Sequence, residues 1–213
     1  MFSRSIKKIE QIESVPTQCI TVDNKDHLFA LGREFIPTHN TTSAVVIILF
    51  YILFNKHKEV GILANKEAGA MEVLSRIKLA YEALPTWLQQ GIVEWNKKSI
   101  ELENGCKVFT GATTSSSLRG KSLSFLYVDE AAFIEGYDDF FGSVYPTISS
   151  GTTSKLLLTS TPNGLNHFHK VWTKAIQEKN GYAHTFVRWN MVPGRGEEWK
   201  KETLDALNHD EDR

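Results

Sequence analysis

The hydrophobic positions of the chain change rhythm at residue 41. Before it they come in short alternating runs. After it, compact apolar runs of strand length alternate with longer stretches of helical period. Cys19-Ile20-Thr21-Val22 alternates as a strand, His27-Leu28-Phe29-Ala30 reads as its partner, and Asn24-Lys25-Asp26 supplies the turn between them. Forty residues of such strands cannot build a core alone, so this half must pair with something else. Beyond it, Thr41-Thr42 opens a helix over residues 43–55. Its apolar run, 44–54, rises only about 16 Å against a hydrocarbon core of about 30 Å, which predicts a buried helix and no membrane span. Strands are predicted at 59–64, 92–95, 99–102, 107–109, 124–128, 155–159 and 184–189, with helices at 66–84, 136–148 and 165–179. Asn104-Gly105 makes a tight turn, and 194–213 is charged and turn-rich, a linker or lid. Strands alternating with helices imply an α/β layer structure with a largely parallel sheet.

Composition narrows the function classes. An apolar fraction of 41% and a charged fraction of 23% are those of an ordinary globular protein. The net charge is −1, and residues 1–40 carry five basic and five acidic side chains, so no electrostatic footprint for nucleic acid stands out. Two cysteines, Cys19 and Cys106, give no disulfide framework and suit a reducing compartment. The N-terminal residues lack the apolar core of a signal peptide.

Candidate chemistry of the first part lies in His39-Asn40-Thr41. An Asn side-chain amide can attack its own carbonyl carbon, closing a succinimide and cutting the chain after itself. A neighbouring His can protonate the departing amine, and a Thr hydroxyl can accept an acyl group. Read alone, the tripeptide is equally an ordinary turn. Residues 19–40 as a whole, CITVDNKDHLFALGREFIPTHN, resemble the C-terminal splicing region of an intein. That resemblance implies a β-rich Hedgehog/intein (HINT) fragment in which His27 and His39 assist cyclisation of Asn40, and Thr41 is the first residue of the flanking host protein. Cys19, preceding a Thr38-His39 pair, resembles the minority class in which an internal Cys opens the N-terminal junction and passes the acyl group to Thr41. The other reading of Cys19 is a small buried hydrophobe. Residues 1–40 have the size of the C-fragment of a split intein, whose N-fragment would be the partner; a truncated gene is the alternative.

In the second part, Phe125-Leu126-Tyr127-Val128-Asp129-Glu130 delivers two carboxylates to the C-terminal edge of the sheet, where α/β ligands sit. This is a Walker B pattern: Asp129 would hold Mg²⁺ and Glu130 would polarise the attacking water. Taken alone, it is also an acidic loop start. A phosphate loop ending in Gly-Lys should precede the helix, yet no Gly-Lys precedes Thr41. If ligation restored it, Thr41 would become the Mg²⁺-binding hydroxyl, with Thr42 beside it. Thr159-Ser160-Thr161, at the end of an apolar strand, can sense a γ-phosphate or simply exit the strand. Arg119, in a polar loop at 113–120, can meet a phosphate of ATP or of DNA, or be solvated.

Together residues 41–190 resemble the ATPase domain of the large terminase subunit of tailed bacteriophages, most strongly in GIVEWNKKSIELENG (91–105), LYVDEAAFI (126–134) and TSTPNGLNHFHKVW (159–172). The resemblance implies a RecA-type ATPase core that binds ATP and Mg²⁺. Asp129 and Glu130 would form its Walker B pair and Thr159-Ser160-Thr161 its coupling motif, with Arg119 a finger acting on a neighbouring subunit. It also implies double-stranded viral DNA, a portal or prohead and a small terminase subunit as partners, assembly as a ring homo-oligomer, and action in the bacterial host cytoplasm. The expected organisation is a splicing fragment at 1–40, an ATPase domain at 41–190 lacking its first strand and phosphate loop, and a linker at 191–213 toward an absent nuclease domain. The competing expectation is a helicase-like or other P-loop NTPase domain behind an inert leader.

Overall fold

The computed structural model describes residues 18–23, 28–31, 36–113, 121–149, 153–188, 191 and 195–206, with the backbone alone at positions 18–23, 28–31, 36–40, 149, 188 and 206. His27 and Arg119 lie outside the described residues. In chain order the elements are β1 (Gln18–Asp23), β2 (Leu28–Leu31), β3 (Ile36–His39), α1 (Asn40–Phe54), β4 (Glu59–Ala64), α2 (Glu67–Glu82), β5 (Ile92–Trp95), β6 (Ser99–Leu102), β7 (Lys107–Ala112), β8 (Phe125–Val128), α3 (Tyr137–Ser149), β9 (Lys155–Ser160), α4 (His167–Ile176), β10 (Ala183–Arg188) and α5 (Glu197–Ala206). No helix among the described residues is long and apolar enough to cross a membrane.

Eight strands form one sheet in the order β10-β1-β9-β8-β4-β7-β6-β5. The strands from β10 to β7 run parallel, and β6 and β5 close one edge as antiparallel strands. Side chains alternate across β8. Phe125 and Tyr127 join a cluster with Ile48, Ile52, Leu74 and Ile77 of α1 and α2, while Leu126 and Val128 join Phe140, Val144 and Phe168 of α3 and α4. Both faces are therefore covered, which is why β8, and β4 after Glu59, carry no charged side chain. Asn104 and Gly105 form the expected turn. The Asn104 side-chain amide donates to the carbonyls of Ile52 (2.7 Å) and Asn55 (3.0 Å), satisfying acceptors that the end of α1 leaves open. Gly105 has φ +79°, a conformation that disfavours any Cβ.

Several expectations need correction. The 19–22/27–30 hairpin does not form. β2 pairs antiparallel with β3, Leu28 opposite His39, and β1 instead enters the large sheet. There it meets two open ladders, where a hairpin would offer one. The ATPase part is expected without its first strand, and within residues 41–213 none lies between β10 and β9; β1, from inside residues 1–40, takes that place. β1 matches β10 along its whole length, Gln18 opposite Ala183 through Asp23 opposite Arg188. It meets β9 only at Ile20–Thr159 and Thr21–Ser160. α1 is buried on one side only: Val46, Phe50 and Phe54 are 55%, 59% and 49% exposed, because a helix apolar all round has more hydrophobic surface than the sheet can cover. The charged segment after 194 contains a helix, α5, opened by Glu197 and Glu198, where acidic side chains favour a helix N-terminus.

Candidate functional site

β3 runs directly into α1, so the Asn40–Thr41 bond lies at a strand-to-helix junction, with Thr38 and His39 closing the strand. The first turn of α1 reaches the C-terminal end of β8. There the Thr41 hydroxyl donates to Asp129 Oδ2 at 3.2 Å. The other oxygen, Oδ1, accepts from the Thr159 hydroxyl at 3.0 Å, and Thr159 also pairs with the Tyr127 hydroxyl at 2.9 Å. Tyr127 is fully buried, and burial followed by the charge of Asp129 holds its phenol well above its usual range, so it stays a neutral hydrogen-bonding group. The Asp129 amide bonds the Leu63 carbonyl at 2.8 Å, tying the carboxylate to β4 as well.

Glu130 follows with φ +51°, in left-handed conformation, and its amide donates to Asp129 Oδ1 at 3.1 Å. This sharp turn leaves Glu130 exposed while Asp129 stays partly buried. Adjacent carboxylates thus face different surroundings.

The hydroxyls that end β9 divide their work. Thr159 holds Asp129, and Ser160 accepts from the Ala132 amide at 3.0 Å. Downstream, the side-chain amides of Asn163 and Asn166 donate to the Ala132 carbonyl at 3.3 and 2.6 Å, and His167 Nε2 lies 2.7 Å from the Ala131 carbonyl. Asn166 also caps α4 by accepting from the amides of Phe168 and His169. The residues after Glu130 are thereby clasped to the start of α4. The clasp residues and Tyr127 were not singled out from sequence; an Asn just before an amphipathic helix was the available signal. Asn166→Ala should remove both the cap and the grip on Ala132, costing about 1–2 kcal/mol, read as a lowered denaturation midpoint at unchanged m-value.

The structure therefore brings together Thr41, Asp129, Thr159 and, through its backbone, Glu130. Thr42 is exposed and Thr161 makes no part of this network. A hydroxyl and a carboxylate are hard oxygen donors suited to Mg²⁺. Among the described residues no group of three or more His, Cys, Asp or Glu could hold a metal. Ser43, in the first turn of α1, keeps a buried hydroxyl with no hydrogen-bond partner among the described residues. A cavity of about 740 Å³ between α3 and α4 is lined by Tyr137, His167 and Lys170, and none of the four site residues borders it.

A mostly parallel sheet covered by helices on both faces, with a helix-borne hydroxyl meeting a strand-end Asp, defines an α/β domain with a polar site at the C-terminal edge of its sheet. Residues 41–213 match the family of the terminase large subunit, T4likevirus-type, N-terminal, and the chain belongs to it. Structurally it is similar to the large terminase of a thermophilic bacteriophage (TM-score 0.63, 13% identity, 88% of this chain and 44% of that one). The ATPase domain of the large terminase of Thermus phage P74-26 is equally similar (TM-score 0.63, 16% identity, 88% and 81%). The thermophilic-bacteriophage terminase has also been solved in complex with ADP, and superposes with a TM-score of 0.60 at 15% identity over 88% of this chain and 44% of that one. Coverage of 88% exceeds what residues 41–213 supply, 173 of 213, so the shared fold extends into the first 40 residues. The replicative DNA helicase DnaB of Mycobacterium leprae is 31% identical over 72 residues, 34% of this chain and 12% of the helicase. The chain thus spans less than half of the thermophilic-bacteriophage terminase and about an eighth of that helicase.

Proposed function

We propose that the chain is a splicing precursor of a DNA-packaging ATPase: residues 1–40 are an intein C-fragment that joins Thr41 to an upstream half and so completes the phosphate loop. The observation that carries this reading is the 3.2 Å contact between Thr41 and Asp129. That contact supports Thr41 as the hydroxyl that would follow a phosphate-loop lysine in the joined chain, although the residues before it here are Pro37-Thr38-His39-Asn40.

In splicing, the Cys19 thiol would attack the carbonyl carbon of the N-terminal junction, forming a thioester as the junction peptide bond breaks and the first residue of the N-fragment leaves as a free amine. The Thr41 hydroxyl would then take the acyl group, returning the thiol. The Asn40 side-chain nitrogen then bonds its own carbonyl carbon, the Asn40–Thr41 bond breaks, and His39, with His27, supplies the proton for the Thr41 amine. That amine finally takes the acyl group from the hydroxyl oxygen, leaving a peptide bond. In the joined chain Thr41 and Asp129 would hold Mg²⁺, which would supply positive charge to offset that of the nucleotide phosphates. Glu130 orients the attacking water. Thr159 and Ser160 carry displacement of Asp129 to Ala132 and α4, and Thr161 completes the motif. Arg119 would act on a neighbouring subunit, with viral DNA, a prohead or portal and a small subunit as partners in the host cytoplasm. The ADP complex of the thermophilic-bacteriophage terminase supports the nucleotide assignment.

The other reading is a helicase-type NTPase behind an inert leader; the likeness to a replicative helicase covers 34% of the chain where the terminase family takes in residues 41–213. ATP turnover separates precursor from product. The chain alone should hydrolyse ATP at background rate, because no Gly-Lys loop precedes Thr41 to cradle the β- and γ-phosphates, and joining to an upstream half ending in Gly-Lys should restore hydrolysis. Equal turnover before and after joining contradicts the proposal.

A further inference from the structure

We propose that the channel between β9 and β10 is a strand-accepting interface in which β1 is a stand-in. Its lasting occupant is the apolar strand that leads into the phosphate loop of the upstream half. The identity of that occupant rests on the splicing reading; the place of β1 in the sheet does not.

Neighbouring strands lie about 4.8 Å apart, so β9 and β10, separated by one strand, are about 9.6 Å apart. Without a strand between them, each would present a row of unbonded backbone groups. β1 fills this gap in parallel, yet its pairing with β9 is confined to Ile20–Thr159 and Thr21–Ser160. Its sequence also suits the place poorly. Interior parallel strands covered on both faces are continuous apolar runs, as Phe125-Leu126-Tyr127-Val128 is, with all four residues buried. Gln18-Cys19-Ile20-Thr21-Val22-Asp23 has polar residues at both ends and at its centre. A strand of uniformly apolar, β-branched residues would bind the channel better.

The direction fits as well. A parallel strand here ends at the same sheet edge as β8 and Asp129, so a loop from its end reaches Thr41 directly. Cleavage after Asn40 detaches residues 1–40 and β1 with them, while the chain newly joined at Thr41 arrives with its own strand. The two positions where β1 meets β9 fall on Thr159 and Ser160, which hold Asp129 and Ala132. Whichever strand fills the channel therefore sets the backbone that carries the coupling hydroxyls.

Hydrogen–deuterium exchange of the full chain tests this, with Asn40→Ala in every sample to keep residues 1–40 attached. Adding Ile20→Pro, which removes a ladder N–H from β1, should speed exchange in peptides covering 183–188 at least tenfold while peptides covering β4 and β8 stay protected. Thr21→Ile, which makes β1 more apolar, should slow it. The probe for the occupant is a synthetic peptide with an apolar β-branched run followed by a glycine-rich loop ending in Gly-Lys. It should bind the Ile20→Pro chain at least tenfold more tightly than the parent, and the Thr21→Ile chain more weakly. Exchange and peptide affinity that ignore both substitutions overturn the proposal, even where Ile20→Pro alone disturbs folding. Ligation of the chain with native Asn40 is scored separately by mass. Its absence while β1 protects β10 counts against the splicing reading alone, and its presence with β10 indifferent to β1 counts against the stand-in alone.

Discussion

Asn40→Ala should abolish release of residues 1–40, while Thr41→Ala should abolish ligation and still permit release. The two outcomes differ because the two residues own different bonds. Scission needs a nucleophile that reaches the carbonyl carbon of residue 40, and only the carboxamide of Asn40 itself closes the five-membered succinimide; alanine has no atom to offer, so the effect is all or none. Acyl transfer needs an oxygen on residue 41. Without it the upstream half remains on its thioester, but nothing stops Asn40 from cyclising. Thr41→Ser should keep both activities, since a primary hydroxyl serves both as acyl acceptor and as metal ligand. Denaturing gels of each variant mixed with an intein N-fragment fused to an upstream half read all three outcomes. Parent-like behaviour of both alanine variants contradicts the splicing reading.

Glu130→Gln, made in the joined chain, should lower ATP turnover by about 10²–10⁴, the range for loss of a positioned proton acceptor, with nucleotide binding unchanged. The two effects are separable because of how the pair is built. Glu130 is exposed and touches Asp129 through its backbone amide, which the substitution leaves in place. Asp129 keeps its bonds from Thr41 and Thr159, so this hydroxyl–carboxylate corner survives. Glutamine also tolerates the left-handed turn at φ +51° no worse than glutamate does, which keeps backbone strain out of the comparison. Single-turnover hydrolysis beside equilibrium nucleotide binding measures both quantities. Equal loss of binding and turnover would place Glu130 in nucleotide binding instead.

What the sequence disclosed follows from how far apart the determinants lie. β4 and β8 were legible because strands covered on both faces must be apolar throughout, and an Asp-Glu pair after four such residues can only sit at the sheet edge. The family, too, could be read from residues 91–172, as the match over 41–213 bears out. β7 extends to Ala112, past the predicted end at Phe109, because Thr110-Gly111-Ala112 carries no apolar pattern yet pairs with Ile62-Leu63-Ala64. The partner of β1 was not legible: its alternation is the same whether it pairs with residues 27–30 or with β10, more than 160 positions away. Nor was the bare side of α1, since a helix apolar on every side gives no clue to which stripe meets the sheet. The clasp formed by Asn163, Asn166 and His167 escaped notice because its acceptors are main-chain carbonyls, which no side-chain pattern marks.

Intact-mass spectrometry of the full chain mixed with an upstream half, an intein N-fragment preceded by a loop ending in Gly-Lys, tests the central claim most directly. The account predicts loss of the 24.1 kDa chain, a free peptide of residues 1–40 ending in a succinimide, and a joined product whose junction reads Gly-Lys-Thr41-Thr42. Persistence of the 24.1 kDa chain, with no peptide released and no such junction formed, contradicts it.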